Sequence, residues 1–272
     1  MRHALLFWAL AATFPLSLVA QQSPSSTSTS SERLQVSPPI RRAEPPAESS
    51  SVQELERRGD ELRAEKLFAD ALDYYRVAIK KQPNSSTLHV KAGIAELQLN
   101  RMSESGKDFQ RAIKADRTNA VAYNDLGVVY YKFRKYDKAI KEYQTALKLL
   151  PDEASYYSNL GAAYFSKKQF EKAIDAYNRA VQLDPDILDR TARNGVQAQM
   201  SSPEDRAHYD YVLAKLFAKI GVNDKSLLYL RRAMEDGYKK IDDVYKDEEF
   251  ATLRKDPRFA ELMTAKPTAI PE

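Results

Sequence analysis

Apolar residues recur at helical spacing through most of the chain, and the stripes come in pairs. Tyr123, Leu126 and Tyr130 fall on one face of a predicted helix; after a short polar turn, Ala139, Tyr143 and Ala146 fall on one face of a second. The next stretch repeats the arrangement with Tyr157, Leu160 and Tyr164, then Ala173, Tyr177 and Ala180. Pro151 and Pro185 follow the second helices and stop them, because proline has no N–H to continue the ladder. Gly59, Gly93, Gly127, Gly161 and Gly195 stand 34 residues apart in succession. The constant period predicts units of two amphipathic helices. No unit buries both of its stripes alone, so the units must stack. Small residues at Gly127 and Ala139 predict a close approach of the paired helices, and Ala146 one toward the next unit.

Four units fit this frame: 52–85, 86–119, 120–153 and 154–187. The two central ones, 120–153 and 154–187, agree at every marked position. Unit 52–85 agrees at Gly59, Ala71, Tyr75, Ala78 and Pro83 and has Leu55, Arg58 and Leu62 at other marked positions. Unit 86–119 keeps Gly93, Phe109 and Ala112 and departs at His89, Glu96, Ser105 and Arg117. After Pro185 two registers are open. One continues the period over 188–221, with Gly195, Ala207, Tyr211 and Ala214 in place; the other starts at Ala207, with Leu213, Ala214 and Phe217 on a first helix and Leu230 and Ala233 on a second. Ser202 as cap and Pro203 as first residue predict a helix over 203–220, and a second is expected near 224–236.

This wording resembles the tetratricopeptide repeat family, whose signature has a bulky residue, Leu-Gly and Tyr in the first helix, then Ala, an aromatic, Ala and Pro in the second. The resemblance covers about 52–260. It implies an all-α fold, a right-handed α-solenoid of stacked helix–turn–helix repeats. It also implies that 188–236 holds degenerate repeat-like helices, and that 237–272, with Phe250, Leu253 and Phe259, holds a capping segment and tail.

In the family the first helices line a concave groove that takes extended or helical segments of partner proteins. Carried over residue by residue, the lining positions are Thr87, Val90, Ile94, Leu97 and Gln98; Val121, Asn124, Val128, Tyr131 and Lys132; and Ser155, Ser158, Ala162, Phe165 and Ser166. Ile94, Val128 and Ala162 form one row of a mostly apolar wall, and Leu97, Tyr131 and Phe165 another. Tyr131 and Phe165 either anchor a partner or fill space between helices. Asn159 is read as structural. A clamp for a chaperone's C-terminal carboxylate is not expected, because Asn124 and Val128 occupy the places where the family uses Lys and Asn.

The N-terminus has a different character. Arg2 precedes an apolar run from Ala4 to Ala20, which gives way to Gln21-Gln22-Ser23, the pattern of a signal peptide over 1–20; the alternative is an uncleaved anchor. Membrane contact is expected only in the second case. Residues 21–51 are rich in Ser, Thr and Pro and poor in large apolar side chains, and are expected to be a disordered tether. The chain is therefore expected to be exported, periplasmic or extracellular.

Composition narrows the chemistry. Among 272 residues there is no Cys, which removes disulfides, thiolate metal sites and Cys nucleophiles. Three His, at 3, 89 and 208, have no second His or carboxylate at metal-ligand spacing, and no phosphate-cradling, zinc-protease or nucleophile-elbow string occurs. No catalytic residue, cofactor or metal is expected. The run Lys132-Phe133-Arg134-Lys135-Tyr136-Asp137-Lys138 mixes aromatics with cations, but Asp137 dilutes the charge and Tyr136 holds a packing position, so nucleic-acid binding is not expected. The resulting expectation is a non-enzymatic scaffold that binds a protein or peptide segment. An accessory or regulatory subunit of a cell-envelope enzyme is the reading left open beside it.

Overall fold

The computed structural model describes residues 43–189 and 202–267. The expected signal peptide, the linker up to residue 42 and Gly195 lie outside the described residues. All the regular structure described is helical. Eight helices repeat the 34-residue step without drift: α1 (Val52–Ala64), α2 (Phe68–Lys81), α3 (Ser86–Gln98), α4 (Met102–Ala115), α5 (Ala120–Lys132), α6 (Tyr136–Leu149), α7 (Ala154–Ser166) and α8 (Phe170–Leu183). Two more follow, α9 (Pro203–Lys219) and α10 (Asn223–Glu235), then three short 3-10 turns and α11 (Pro257–Ala265).

The end of the predicted linker is held in place. The Ala43 N–H donates to Asp70 Oδ1 at 2.9 Å, and the Tyr74 hydroxyl donates to the Glu44 carbonyl at 3.1 Å; Asp70 and Tyr74 are both on α2. Ser51 then caps α1 in a reciprocal box with Glu54.

Each glycine of the period among the described residues has one steric reason. A Cβ on Gly59, Gly93, Gly127 or Gly161 would lie 2.5–2.7 Å from a ring atom of Tyr75, Phe109, Tyr143 or Tyr177, the aromatic of the same unit's second helix. Glycine and aromatic form one packing element, a ring laid flat on bare backbone. The α9/α10 pair shows the complementary solution, with Ala214 facing a smaller Leu230, both fully buried.

That pair also settles the register. α9 ends at Lys219 and α10 starts at Asn223, the same gap that separates Lys132 from Tyr136, so α9 is a first helix and the frame starting at Ala207 holds. The strict period is broken by an insertion between Leu188 and Ala207. Ser202 accepts from the Asp205 N–H at 3.1 Å with Pro203 at the first turn, as expected. Ser226 takes the place that Ser105 has in unit 86–119, and each hydroxyl donates to the carbonyl opposite the close approach, Ala214 or Gly93, at 2.8 Å. Ser105 thus replaces the usual Ala without leaving a buried polar atom unpaired.

The turns inside the units use a position the periodicity does not mark. Lys66, Asn100, Arg134 and Lys168 all have φ between 57° and 63°, and Gly221 holds the equivalent place at φ 77°. The left-handed residue lets the chain reverse while the N–H groups of Lys66 and Leu67 bond back to Arg63 and Leu62. At the far end, Val244, Phe250, Leu253 and Phe259 are buried in one core cluster with α9 and α10, and Tyr211 donates its hydroxyl to Asp247 at 2.8 Å. Residues 241–265 therefore close the last pair of helices, as a capping segment must.

Candidate functional site: the wall of first helices

Successive first helices are tied side chain to side chain. Lys91 on α3 donates to Glu56 Oε1 at 2.6 Å and Asp60 Oδ2 at 2.5 Å on α1. Asn159 on α7 donates to Asn124 Oδ1 on α5 at 2.9 Å. In both ties the sixth residue of a unit meets the fifth or ninth residue of the unit before it. The Tyr131 and Ser166 hydroxyls, 2.8 Å apart, add a further link between α5 and α7.

The expected lining residues all belong to α3, α5 and α7, but with different exposure. Val90, Asn124, Val128, Tyr131, Ser158, Ala162 and Phe165 are buried. Ile94 and Leu97 are half-buried, and Lys132 is exposed at the end of α5. Val121, at the second position of its unit, is 42% exposed. Tyr131 packs on Tyr136 at 5.4 Å between ring centroids, and Phe165 on Phe170 at 5.5 Å and edge-on to Tyr209 at 5.2 Å. Both aromatics are covered by side chains of this same chain. Asn159 has the structural role expected of it.

The phenols packed behind the wall, on the second helices, meet different partners from unit to unit. In the first unit the Tyr75 hydroxyl donates to Asp60 Oδ1 at 2.8 Å, and Asp60 also takes Lys91. Lys91 is raised above its ordinary value: burial works against its charge, but its two carboxylate partners outweigh that. In the third and fourth units the ninth residue is Val128 or Ala162; the Tyr143 hydroxyl on α6 has no hydrogen-bond partner among the described residues, and Tyr177 on α8 lies edge-on to Tyr209 at 6.1 Å between ring centroids. Burial raises both phenols well above their ordinary value.

Asp125 on α5 is the charged residue that the family positions do not include. It is half-buried, accepts one hydrogen bond, from Asn124 Nδ2 at 2.9 Å, and burial raises its carboxyl to about 6. The row of sixth residues, Arg57, Lys91, Asp125 and Asn159, is the sequence signal that marks it.

A second polar cluster lies between the first two units. Asp108 on α4 is fully buried and takes Arg76 at 2.5 Å, Arg111 at 2.9 Å and the His89 Nδ1 at 3.2 Å; Arg76 also pairs with Glu96. Burial works against the Asp108 charge, but Arg76, with Arg111 and His89, holds the carboxyl below its ordinary value. Glu96 has one oxygen without a partner, and burial, with Asp108 beside it, raises its carboxyl to about 7. The departures His89 and Glu96 are thus parts of one network with Arg76 and Asp108. Among the described residues no three metal-ligating side chains converge, and no helix is long and apolar enough to cross a membrane.

Comparison with known proteins agrees with this construction. The family model for the tetratricopeptide repeat matches residues 57–120 and 124–186. Among solved structures, MamA from Desulfovibrio magneticus RS-1 (residues 41 to the end) is 20% identical, with 70% of this chain and 96% of that chain covered and a TM-score of 0.50. TTC0263, a thermophilic TPR protein of Thermus thermophilus, is 19% identical over 75% of this chain and 100% of that one, with a TM-score of 0.48. YrrB, described as a TPR protein with an unusual peptide-binding site, is 17% identical over 75% and 92%, with a TM-score of 0.48. At such identities the likeness is one of fold. Comparison with curated proteins gives no match. Proteins of this repeat family are typically non-catalytic scaffolds for contacts with protein or peptide partners. The helix periods, the glycine–aromatic packing and the family match together make this chain, through its units between residues 57 and 186, a member of the tetratricopeptide repeat family.

Proposed function

We propose that the chain is a non-enzymatic scaffold outside the cytoplasm that holds a segment of a partner protein in the groove along α3, α5 and α7. One observation carries the reading: the lining rows of α3 and α5 keep apolar side chains that the chain's own packing does not cover, half-buried Ile94 and Leu97 and exposed Val121. Apolar surface left in water gains free energy when a partner segment covers it. Exposed Lys132, at the end of α5, adds a charge to this surface. The helices are fixed before the partner arrives, so less ordering cost is set against the contacts made.

Buried Val128 and Phe165 are poor places to test this, since a charge there would break the core. The test is capture from the native cell with wild type and with Val121→Glu/Lys132→Glu, whose side chains are exposed. A protein recovered by wild type and lost by the variant supports the groove; the same recovery with both overturns it. The location rests on Arg2 and the apolar run to Ala20. A mature N-terminus near Gln21 in the osmotic-shock fraction supports export, and an intact Met1 in a cytosolic fraction overturns it.

A further inference from the structure

The sixth residue of a unit turns toward the fifth and ninth residues of the preceding unit, and each unit puts a different group there. Lys91 meets two carboxylates, Glu56 and Asp60. Asn159 meets the amide oxygen of Asn124. The same offset assigns Val90 and Ile94 to Asp125, and neither side chain has a hydrogen-bond donor. Among the described residues no Lys or Arg lies within 4 Å of the Asp125 carboxylate, and the Asn124 amide is its one donor. A carboxylate has room for about four donors, so most of this one is unused.

Its surroundings agree with an unmatched charge. The buried phenol of Tyr143 lies within its electrostatic reach and has no partner of its own among the described residues. Tyr156 on α7 is raised to about 12, first by burial and next by the Asp125 charge. Elsewhere on this wall the chain supplies a counter-charge to a buried ion, as it does to Lys91; here it does not.

We propose that Asp125 recognises a Lys or Arg side chain carried by the partner segment. The inference rests on the groove reading above and adds the chemistry of what the groove selects. One carboxylate over an apolar floor suits such a side chain: the methylene stem lies on Val90 and Ile94 while the cationic head meets the carboxylate in a charge-assisted hydrogen bond. A divalent metal ion is the poorer fit, because it needs several oxygen ligands and the nearest fixed side chain is a single amide. A charge kept at a cost to the free protein and matched only in the complex is typical of a binding site rather than of a packing role.

The test is selection of a random dodecapeptide library on the full chain, with the Val121→Glu/Lys132→Glu variant as counter-screen. Wall-binding peptides with Lys or Arg at one fixed position are expected. For such a peptide Asp125→Asn weakens binding tenfold or more. Replacing the peptide's Arg by citrulline weakens wild type by a similar factor and leaves the variant unchanged. In the free protein Asp125→Asn raises the midpoint of thermal unfolding at pH 7.5, which a carboxylate with a structural role would lower. Wall-binding peptides without a fixed cation, or binding that Asp125→Asn leaves intact, overturn the assignment and leave the groove reading standing. Binding that depends on added calcium or magnesium overturns it in favour of a metal. If no selected peptide distinguishes wild type from the counter-screen variant, the groove reading falls and this inference falls with it.

Discussion

Residues 52–119 and residues 120–187 are built from the same helices at the same spacing, yet they tie their helices together with different groups, ion pairs in the first and neutral side chains in the second. The first pair of units buries charge and satisfies most of it internally: Lys91 with Glu56 and Asp60, Tyr75 with Asp60, Asp108 with Arg76, Arg111 and His89. The second pair has aromatic contacts, Tyr131 on Tyr136 and Phe165 on Phe170, and holds the Tyr143 phenol without a partner among the described residues and the Asp125 carboxylate with one donor. A repeat fold fixes where a side chain points, not what it meets. The charged network adds specificity to the first half; Asp125, with its single donor, leaves the second half something to offer.

The sharpest way to break the comparison is at the twenty-third position of the unit, Asp108 in one half and Glu142 in the other. Asp108→Asn removes the charge that faces Arg76, Arg111 and His89, and breaking a buried ionic network costs about 3–5 kcal/mol. Glu142→Gln, at a half-buried residue whose carboxyl burial raises, should cost under about 1 kcal/mol. Urea unfolding of both variants measures the difference; equal losses would mean that the two halves are stabilised alike.

The next largest effect tests the glycine–aromatic element. Gly127→Ala drives a methyl to 2.6 Å from the Tyr143 ring, and the overlap outweighs the gain in helix propensity by about 1–2 kcal/mol. Ala214 with Leu230 is the chain's own smaller pairing. Gly127→Ala/Tyr143→Leu should therefore lose less than the sum of the two single changes, and a double-mutant cycle with no coupling would refute the element.

The pH dependence of stability tests one carboxyl in each half that burial raises. Glu96, near 4.5 when unfolded, is held at about 7 in the fold, because burial and Asp108 outweigh the attraction of Arg76. Below about pH 4.5 both states carry its proton; from there to about pH 7 only the folded chain does, so stability falls as pH rises through that window. Asp125, raised from 3.8 to about 6, acts in the same sense. Glu96→Gln should remove about 1–2 kcal/mol of the fall between about pH 4.5 and 7.5, read from denaturant midpoints across that range. A slope unchanged by Glu96→Gln would mean that the network holds Glu96 ionised throughout.

The smallest effect concerns the turns, where the halves are expected to agree. Arg134 at φ 57° and Lys66 at φ 63° hold a conformation that glycine adopts without strain. Arg134→Gly and Lys66→Gly should each stabilise by about 0.5–1 kcal/mol, by the geometry that Gly221 already uses in the α9/α10 pair. Unequal gains in thermal midpoint would show that one turn has side-chain contacts beyond its backbone geometry.

Much of the fold was legible in one dimension. The spacing of apolar residues located all eight helices of the four units, Pro151 and Pro185 marked where second helices end, and Ser202-Pro203 marked the start of α9. These signals are local: periodicity, capping and ring closure act within a few residues of the chain. The left-handed turn residues were not legible, because Lys and Arg carry no composition signal for positive φ as Gly221 does. The register after Leu188 stayed open because an insertion breaks the period and α9 satisfies the apolar pattern of either helix type.

The candidate site was legible only as a set of positions. Repeat geometry told which residues of α3, α5 and α7 share a wall. It did not tell that Tyr131 and Phe165 are covered from within, that Glu96 and His89 answer to Arg76 and Asp108, or that Asp125 meets no cation among the described residues. The sequence alone determined a stacked helical array, because one unit's helices and their apolar stripes are set by short-range spacing. The tertiary structure alone decided which polar groups are satisfied. Partners such as Lys91 and Asp60, 31 residues apart, or Arg76 and Asp108, 32 apart, meet only when units stack, and hydrogen bonds and ion pairs depend on ångström distances that no pattern along the chain encodes.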